Sequence, residues 1–388
     1  MFKKTFLHNL FNKCKHGGLR VVYWDGDDKI YGDEAAPRVK IIFHQEPSVA
    51  LTDDPVIAIG EAYMDEIIDI DGEFDEVIKL IALNNDVLAK HTVLAKTVSG
   101  LQGEQKNIQH HYDIGNDFFK LWLDKTMSYS CAYFKDHDDS LYQAQLQKID
   151  HILKKLNLSA TDHLLDIGCG WGWLVIRAAQ QYHVQATGVT LSSEQFAAAT
   201  ESVKKLGLQD QVHIKLANYQ ELDPQIERFD KIVSIGMFEH VGKANLPKYM
   251  NKVNELLLPG GISLLHTITG MIEEPGNSWI LKYIFPGGYV PSLRETIGLL
   301  PDFDFHLLHA ESLRLHYALT IEKWYSEFLQ HSQSIQLKYG RRFFRMWELY
   351  LRGCAASFRC SGTDIYQLLF TKGLNNSFPL TFDYLYRD

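Results

Sequence analysis

The chain is 388 residues long, 46% hydrophobic and 22% charged, with a net charge of −9. That length suggests two domains, and that composition excludes both a disordered chain and a disulfide-stapled miniature. The acidic balance, with no basic domain, argues against nucleic acid as a partner, because phosphate backbones would be repelled.

The N-terminal segment MFKKTFLHNLFNKCKHGG is broken by His8, Asn9, Asn12 and Lys13, where a signal peptide needs a continuous apolar run. On a helical wheel Phe2, Phe6, Leu7, Leu10 and Phe11 share about half of the circumference, beside several lysines. Such a helix either lies on a membrane surface or docks on the body of the protein. Residues 21–84 read as short β-rich segments (VVYW, VKIIF) and a helical run ending VIKLIALN, with turns at Asp25-Gly26-Asp27 and Tyr31-Gly32-Asp33. This predicts a small α+β domain. Residues 85–103 form a weaker apolar helix closing at Ser99-Gly100 and Gly103, so a first domain over 1–103, linker included, is followed by a larger one over 104–388.

From residue 161 strands and helices alternate: HLLDIG, WLVIRAAQQY, QATGVT, SEQFAAATESVKKLG, VHIKLAN, FDKIVSIG, LPKYMNKVNELL and GGISLLHTI. That rhythm predicts an α/β fold, an open Rossmann-like parallel sheet with helices on both faces, binding its ligand beyond the carboxyl ends of the strands. In the C-terminal helix Arg341, Arg345 and Arg352 share one side, read as a solvated face or a headgroup contact. No run of about 18 apolar residues suggests a membrane span. The five cysteines, Cys14, Cys131, Cys169, Cys354 and Cys360, show no CxxC or Cys/His zinc spacing, which points to no metal and to a reducing cytoplasm.

LLDIGCGWG, from Leu164 to Gly172, runs a strand through Asp166, Gly168, Gly170 and Gly172 into a helix. Glycines there let a backbone approach a ligand closely. The next strand ends GVTLS without the acidic residue that holds an NAD ribose, and Asp166 precedes the glycines instead, which favours S-adenosylmethionine over NAD. No Lys-Ser/Thr pair follows, so a P-loop is excluded. A tight structural turn is the bland alternative.

Seven blocks then resemble the cyclopropane fatty acid synthases and the related mycolic acid cyclopropane synthases: HHYDIGNDFFKLWLDKTMSYSCAYF (His110 to Phe134), LLDIGCGWG, GVTLSSEQ, SIGMFEHVG (Ser234 to Gly242), KYIFPGGYVPS (Lys282 to Ser292), LRLHYALTIEKW (Leu313 to Trp324) and MWELYLRGCAASF (Met346 to Phe358). They lie in family order over residues 104–388, and DPVIAIGEAYMDEIIDIDG is similar to the extra N-terminal domain of the fatty acid branch. The resemblance implies a class I S-adenosylmethionine methyltransferase fold. It implies cofactor contacts from Tyr112, Ser130, Asp166, Gly168, Gly170, Thr190, Leu191, Gln195 and Asn218, the last standing where many members have Asp. It implies methylene transfer to the cis double bond of an unsaturated phospholipid acyl chain, through a carbocation deprotonated by a bound bicarbonate.

The positions matching the family's bicarbonate site are Cys131, Glu239, His266, Ile268 and Tyr317, with Cys354 close by. Singly, the cysteines also read as core fillers, and His266 and Tyr317 as packing residues; Glu239, after the fourth strand, carries the most weight. Two bare anions repel, so Glu239 has to share a proton with bicarbonate or orient His266. Aromatics at Tyr133, Phe134, Trp279, Tyr283, Phe285 and Tyr317 are expected to line an acyl channel. The resemblance also implies a homodimer working in the cytoplasm, peripherally associated with the inner face of the membrane. The alternative activity is another lipid C-methyl transfer, giving methyl-branched or hydroxylated chains.

Overall fold

The computed structural model describes residues 2–47, 54–84, 115–274 and 276–386. These fall into two compact units: one holds the described parts of 1–97, 275–286 and 321–362, the other those of 98–274, 287–320 and 363–388. Two segments of the stretch 104–388 are therefore grouped with the N-terminal residues.

In the first unit β1 (Gly18–Val22) and β2 (Asp28–Gly32) make an antiparallel hairpin around Gly26, whose φ of +84° suits glycine. β3 (Val39–Phe43) runs parallel to β1, and β4 (Ile68–Asp71) antiparallel to β3. Leu19, Val21, Val39, Ile41 and Phe43 alternate inward along the strands. The helix Phe2–Phe11 buries Leu7, Leu10 and Phe11; these apolar residues dock on the body of the unit, the plainer of the two expectations.

The helix Arg341–Cys360 packs on the helices Phe74–Leu83 and Pro55–Met64. Its amphipathic pattern explains the grouping of 321–362 with the first unit, since an apolar stripe needs cover. Of the expected solvated arginine face only Arg341 stays largely exposed; Arg345 and Arg352 are used internally. Arg345 is buried, donates to Tyr63 O at 2.5 Å and Ile68 O at 2.9 Å, and stacks 3.9 Å from the Tyr63 ring centre. Arg341 pairs with Glu66, and Arg352 lies 4.0 Å from the Phe74 ring centre.

The second unit is a seven-stranded sheet in the order β10-β11-β9-β8-β5-β6-β7. β5 (His163–Ile167), β6 (Gln185–Thr190), β7 (Val212–Leu216), β8 (Phe229–Ile235) and β9 (Leu257–Thr269) are parallel. β10 (Phe305–Ser312) and β11 (Asp364–Lys372), absent from the sequence reading, add antiparallel strands beyond β9. Neighbouring residues face opposite cores, as a pleat of period two requires: Leu165, Ile232, Leu265 and Leu368 join one apolar cluster, and Leu164, Val233, Leu264 and Leu369 the other. The chain winds outward from β5 through β6 and β7, then returns to β8 on the other side. The switch point therefore lies at the carboxyl ends of β5 and β8, where such sheets take their ligands.

Candidate active site

β5 opens into Gly168 at φ +85° and Gly170 at φ +54°, backbone that a β-carbon disfavours. The amides of Gly168 and Cys169 both donate to Val189 O on β6, pinning the loop to the sheet. The loop walls a cavity of about 150 Å³. Ser130, Asp166, Gly168, Gly170, Thr190, Leu191, Gln195 and Asn218, expected at the cofactor, all line it. Tyr112 lies outside the described residues.

Each polar wall has a local cause. Thr190 Oγ1 donates to Gln195 Oε1 at 2.7 Å, and Ser192 caps the helix Ser193–Lys205 by accepting from Gln195 N. Asn218 caps the turn Tyr219–Glu221 by accepting from Gln220 N at 3.0 Å, so its amide nitrogen remains for a ligand. Burial pushes the Asp166 carboxyl up to about 7, against the pull of the Lys148 ammonium, and its Oδ1 has no hydrogen-bond partner. A buried polar atom left open is what a bound polar ligand would satisfy.

Sequence reasoning missed Lys148 and His240, which also line the cavity. Lys148 is buried, donates to Ser130 Oγ at 3.0 Å, and burial lowers its ammonium to about 8. The signal was present: Lys148, His151 and Lys155 sit at i, i+3 and i+7 of the helix Leu141–Leu156, among buried Ile149, Ile152 and Leu156. Polar residues at core spacing are costly unless paired. Burial lowers His240 to about 4, keeping it neutral.

A second polar cluster adjoins the cavity wall. Glu239 lies on the turn Phe238–His240 directly after β8; its Oε1 accepts from Ile268 N at 2.6 Å. Gly236, which lines the cavity, donates its amide to His266 O. His266 and Ile268, two apart on β9, point to one face. Ile268 pairs with Ile365 of β11, whose carbonyl accepts from Leu313 N; Leu313 O in turn accepts from Tyr317 N at 3.0 Å and from the Cys131 thiol at 3.8 Å. A run of mostly backbone contacts thus links the segments that carry Cys131, Glu239, His266, Ile268 and Tyr317, with the side chains of Glu239 and Cys131 taking part. Cys354 belongs to the first unit, on the helix Arg341–Cys360, where burial raises its thiol to about 12. Of the aromatics expected at an acyl channel, Trp279, Tyr283 and Phe285 also belong to the first unit: Trp279 donates to Met64 Sδ, Tyr283 to Glu61, and Phe285 packs on Tyr350.

Burial raises Glu239 to about 7, with the Ile268 amide pulling the other way, and its Oε2 has no partner. His266 is fully buried; burial and the nearby Lys148 and Lys155 ammoniums hold it well below its usual value, and its Nε2 is also without a partner. With Oε1 taken by an amide donor, a proton on Glu239 belongs on Oε2. Each open atom can then act as a donor, the chemistry an oxyanion needs, and a protonated Glu239 removes the conflict between two bare charges.

The family model described as mycolic acid cyclopropane synthetase matches residues 100–368, and one described as a domain of unknown function matches residues 6–92. The "Cyclopropane-fatty-acyl-phospholipid synthase" of Escherichia coli (strain K12) is 39% identical over 339 residues, 82% of this chain and 84% of the relative. The "Probable fatty acid methyltransferase" of Pseudomonas putida is 34% identical over 385 residues, 96% of this chain and 97% of the relative. The solved mycolic acid cyclopropane synthase CmaA1, complexed with SAH and CTAB, has a TM-score of 0.64 at 36% identity, covering 69% of this chain and 98% of that one. The family match spans β5 to β10 and the start of β11, and the chain belongs to the mycolic acid cyclopropane synthetase family of S-adenosylmethionine-dependent methyltransferases.

Proposed function

We infer that the chain transfers a methylene group from S-adenosylmethionine to the cis double bond of an unsaturated phospholipid acyl chain, closing a cyclopropane ring. The observation that carries this reading is that Glu239 Oε2 and His266 Nε2 are each buried without a partner, on segments whose neighbours His240 and Gly236 line the glycine-loop cavity. A transfer to nitrogen or oxygen has no need of a separate buried acid/base cluster holding an anion, whereas ring closure has to remove a proton from the transferred carbon.

S-adenosylmethionine supplies an electrophilic methyl on a sulfonium, and Ser130, Asp166, Gly168, Gly170, Thr190, Leu191, Gln195 and Asn218 are the residues that would hold it. Bicarbonate supplies the proton acceptor, and Glu239, His266 and Tyr317 would hold it, with the Ile268 amide fixing Glu239. Glu239, poised near neutrality, keeps its proton on Oε2 and orients the anion. His266 donates without adding a charge. The buried walls keep competing water from the site.

Among the described residues no helix is long and apolar enough to cross a membrane. A lipid acyl substrate therefore calls for a peripheral enzyme, and cytoplasmic work on the inner leaflet as a homodimer is part of the same reading. The N-terminal residues 1–103 serve assembly or docking in it. A second reading, methyl branching without ring closure, is kept beside it because the Pseudomonas putida relative, which matches the chain nearly end to end, is named for methyl transfer to a fatty acid.

The test is incubation of the purified protein with methyl-labelled S-adenosylmethionine and unsaturated phospholipid vesicles, followed by mass spectrometry and NMR of the released acyl chains. A labelled methylene in a ring supports the cyclopropane reading. A labelled branch with a retained or moved double bond supports the second, and no labelled acyl chain overturns both.

A further inference from the structure

β9, β11 and β10 are adjacent and antiparallel, and their register sets His266 opposite Gln367 and Gln367 opposite Glu311. One row of side chains therefore crosses three strands. Lys155, from the helix Leu141–Leu156, joins the row: its Nζ donates to Glu311 Oε2 at 2.5 Å and to Gln367 Oε1 at 2.7 Å. His151, one turn earlier, meets the same Glu311 oxygen through Nε2 at 2.8 Å. At the other end Gln367 Nε2 lies 3.1 Å from His266 Nδ1. Lys155, Gln367 and His266 are fully buried. Burial works against both partners, lowering Lys155 and opposing the Glu311 carboxylate, but the His151 hydrogen bond and the Lys155 charge hold Glu311 down to about 2, and the 2.5 Å contact between the two fits a charged pair.

This row has one consistent set of hydrogen bonds. An ammonium has no lone pair and can only donate, so Gln367 must turn its carbonyl oxygen to Lys155 and its NH2 to His266. The amide then donates to Nδ1, which must be bare. A neutral imidazole carries one proton, and here only Nε2 can carry it. That nitrogen is the buried one with no partner.

We propose that Gln367 is a positioning residue that, anchored by Lys155 and Glu311, locks His266 in the tautomer whose Nε2 carries the proton, a buried donor for the anion of the proposed reaction. A primary amide does not pass protons along a chain as water or imidazole does, so the row orients His266 and does not relay protons to the surface. What Nε2–H faces rests on the bicarbonate reading given above; the tautomer does not.

Full-length protein labelled with ¹⁵N-histidine tests this by NMR, with the His266 signals identified by their loss in His266→Gln. The expected parent pattern is a protonated Nε2 and a bare Nδ1, unchanged across the neutral pH range. Gln367→Glu keeps an acceptor for Lys155 but offers Nδ1 only acceptors, so Nδ1 should gain a proton. Gln367→Met removes the donor and should leave both tautomers populated; its turnover in carbonate-depleted buffer should need about tenfold more added bicarbonate, as losing a hydrogen bond to a charged group would cost. A bare Nε2 in the parent, or a tautomer indifferent to both substitutions, overturns the proposal. Parent turnover that ignores added bicarbonate overturns the anion reading instead, and leaves the NMR result to stand or fall separately.

Discussion

The cofactor cavity and the Glu239 cluster share one sheet but are assembled in different ways. The cavity is made by loops at the strand ends, each a contiguous motif: Gly168 to Gly172, Thr190 to Gln195, and Asn218 capping its own turn. The cluster is made by register across β8, β9 and β11, drawing Glu239, His266, Ile268 and Tyr317 from separate stretches. The cavity has its buried carboxyl Asp166 opposed by Lys148. The cluster has no such cation against Glu239, and its two open atoms are both potential donors. Lys148 bears on both, on Asp166 and on His266, but no cation opposes Glu239; under the function proposed above, that leaves Glu239 and His266 neutral for an anion and Asp166 suited to a cationic cofactor.

The strongest way to break the comparison is Glu239→Gln, which keeps shape and hydrogen bonding but cannot ionise. If the cluster handles the proton and the cavity only binds, turnover on unsaturated phospholipid vesicles should fall by about 10² to 10⁴. Calorimetry should show cofactor affinity unchanged within about twofold. Near-normal rate with a normal cyclopropane yield would make this carboxylate a bystander.

The converse substitution is Gly170→Val. Its backbone sits at φ +54° with no atom within 4 Å of a built β-carbon, so a side chain there projects into open space while straining the loop. Strain of about 1–3 kcal/mol, together with lost ligand space, should weaken cofactor binding by about tenfold or more. Far-ultraviolet circular dichroism checks that the sheet persists. Unchanged affinity in folded protein would remove the loop from the cofactor site.

How much of this was legible in the sequence follows the same division. The glycine loop, the strand ends and the helices between them could be read because each is local: a strand, a turn needing positive φ, a helix start. Cys131, Glu239, His266, Ile268 and Tyr317 were placed by resemblance to a family, and no spacing rule would have gathered them. Gln367 could not be found, because its role depends on β11 pairing with β9 so that it faces His266 across 101 positions of chain. The grouping of residues 276–286 and 321–362 with the N-terminal unit was not legible for a related reason: an amphipathic helix announces that it needs cover but not which helices supply it.

A smaller effect, on stability, compares the two buried carboxyls directly. Asp166 and Glu239 are each raised to about 7, from 3.8 and 4.5. A raised carboxyl binds its proton more tightly when folded, so stability is greatest at acid pH and declines as pH climbs from the unfolded value through the folded one. For Glu239 that window runs from about 4.5 to about 7, and the full loss is about 3 kcal/mol. Glu239→Gln should flatten this part of the pH profile and gain on the parent above pH 7, in urea unfolding followed by fluorescence. Adding S-adenosylmethionine should move the Asp166 contribution but leave the Glu239 contribution in place. A parent profile that rises through the same window would contradict both assignments.

The smallest expected effect belongs to Cys131, which sits at the border of the cluster. Its thiol is fully buried, and burial pushes its pKa far up, so it remains neutral at any working pH. It donates toward Ala132 O at 3.2 Å and Leu313 O at 3.8 Å, both backbone carbonyls. Its neighbours bind the same helix start: Ala132 N donates to Thr320 Oγ1 at 3.0 Å and Phe134 N to His316 Nδ1 at 3.0 Å. A neutral thiol already spent on carbonyls is a poor base and a weak anion donor, so its contribution is packing that holds the Tyr317 helix against the sheet. Cys131→Ala should therefore lower stability by about 1–2 kcal/mol. It should leave cofactor affinity unchanged and reduce kcat by less than about fivefold. Steady-state kinetics on vesicles alongside urea unfolding separates the two. A drop of about a hundredfold in kcat with stability intact would mean that the thiol turns toward the anion, joining Glu239, His266 and Tyr317 as a fourth side chain.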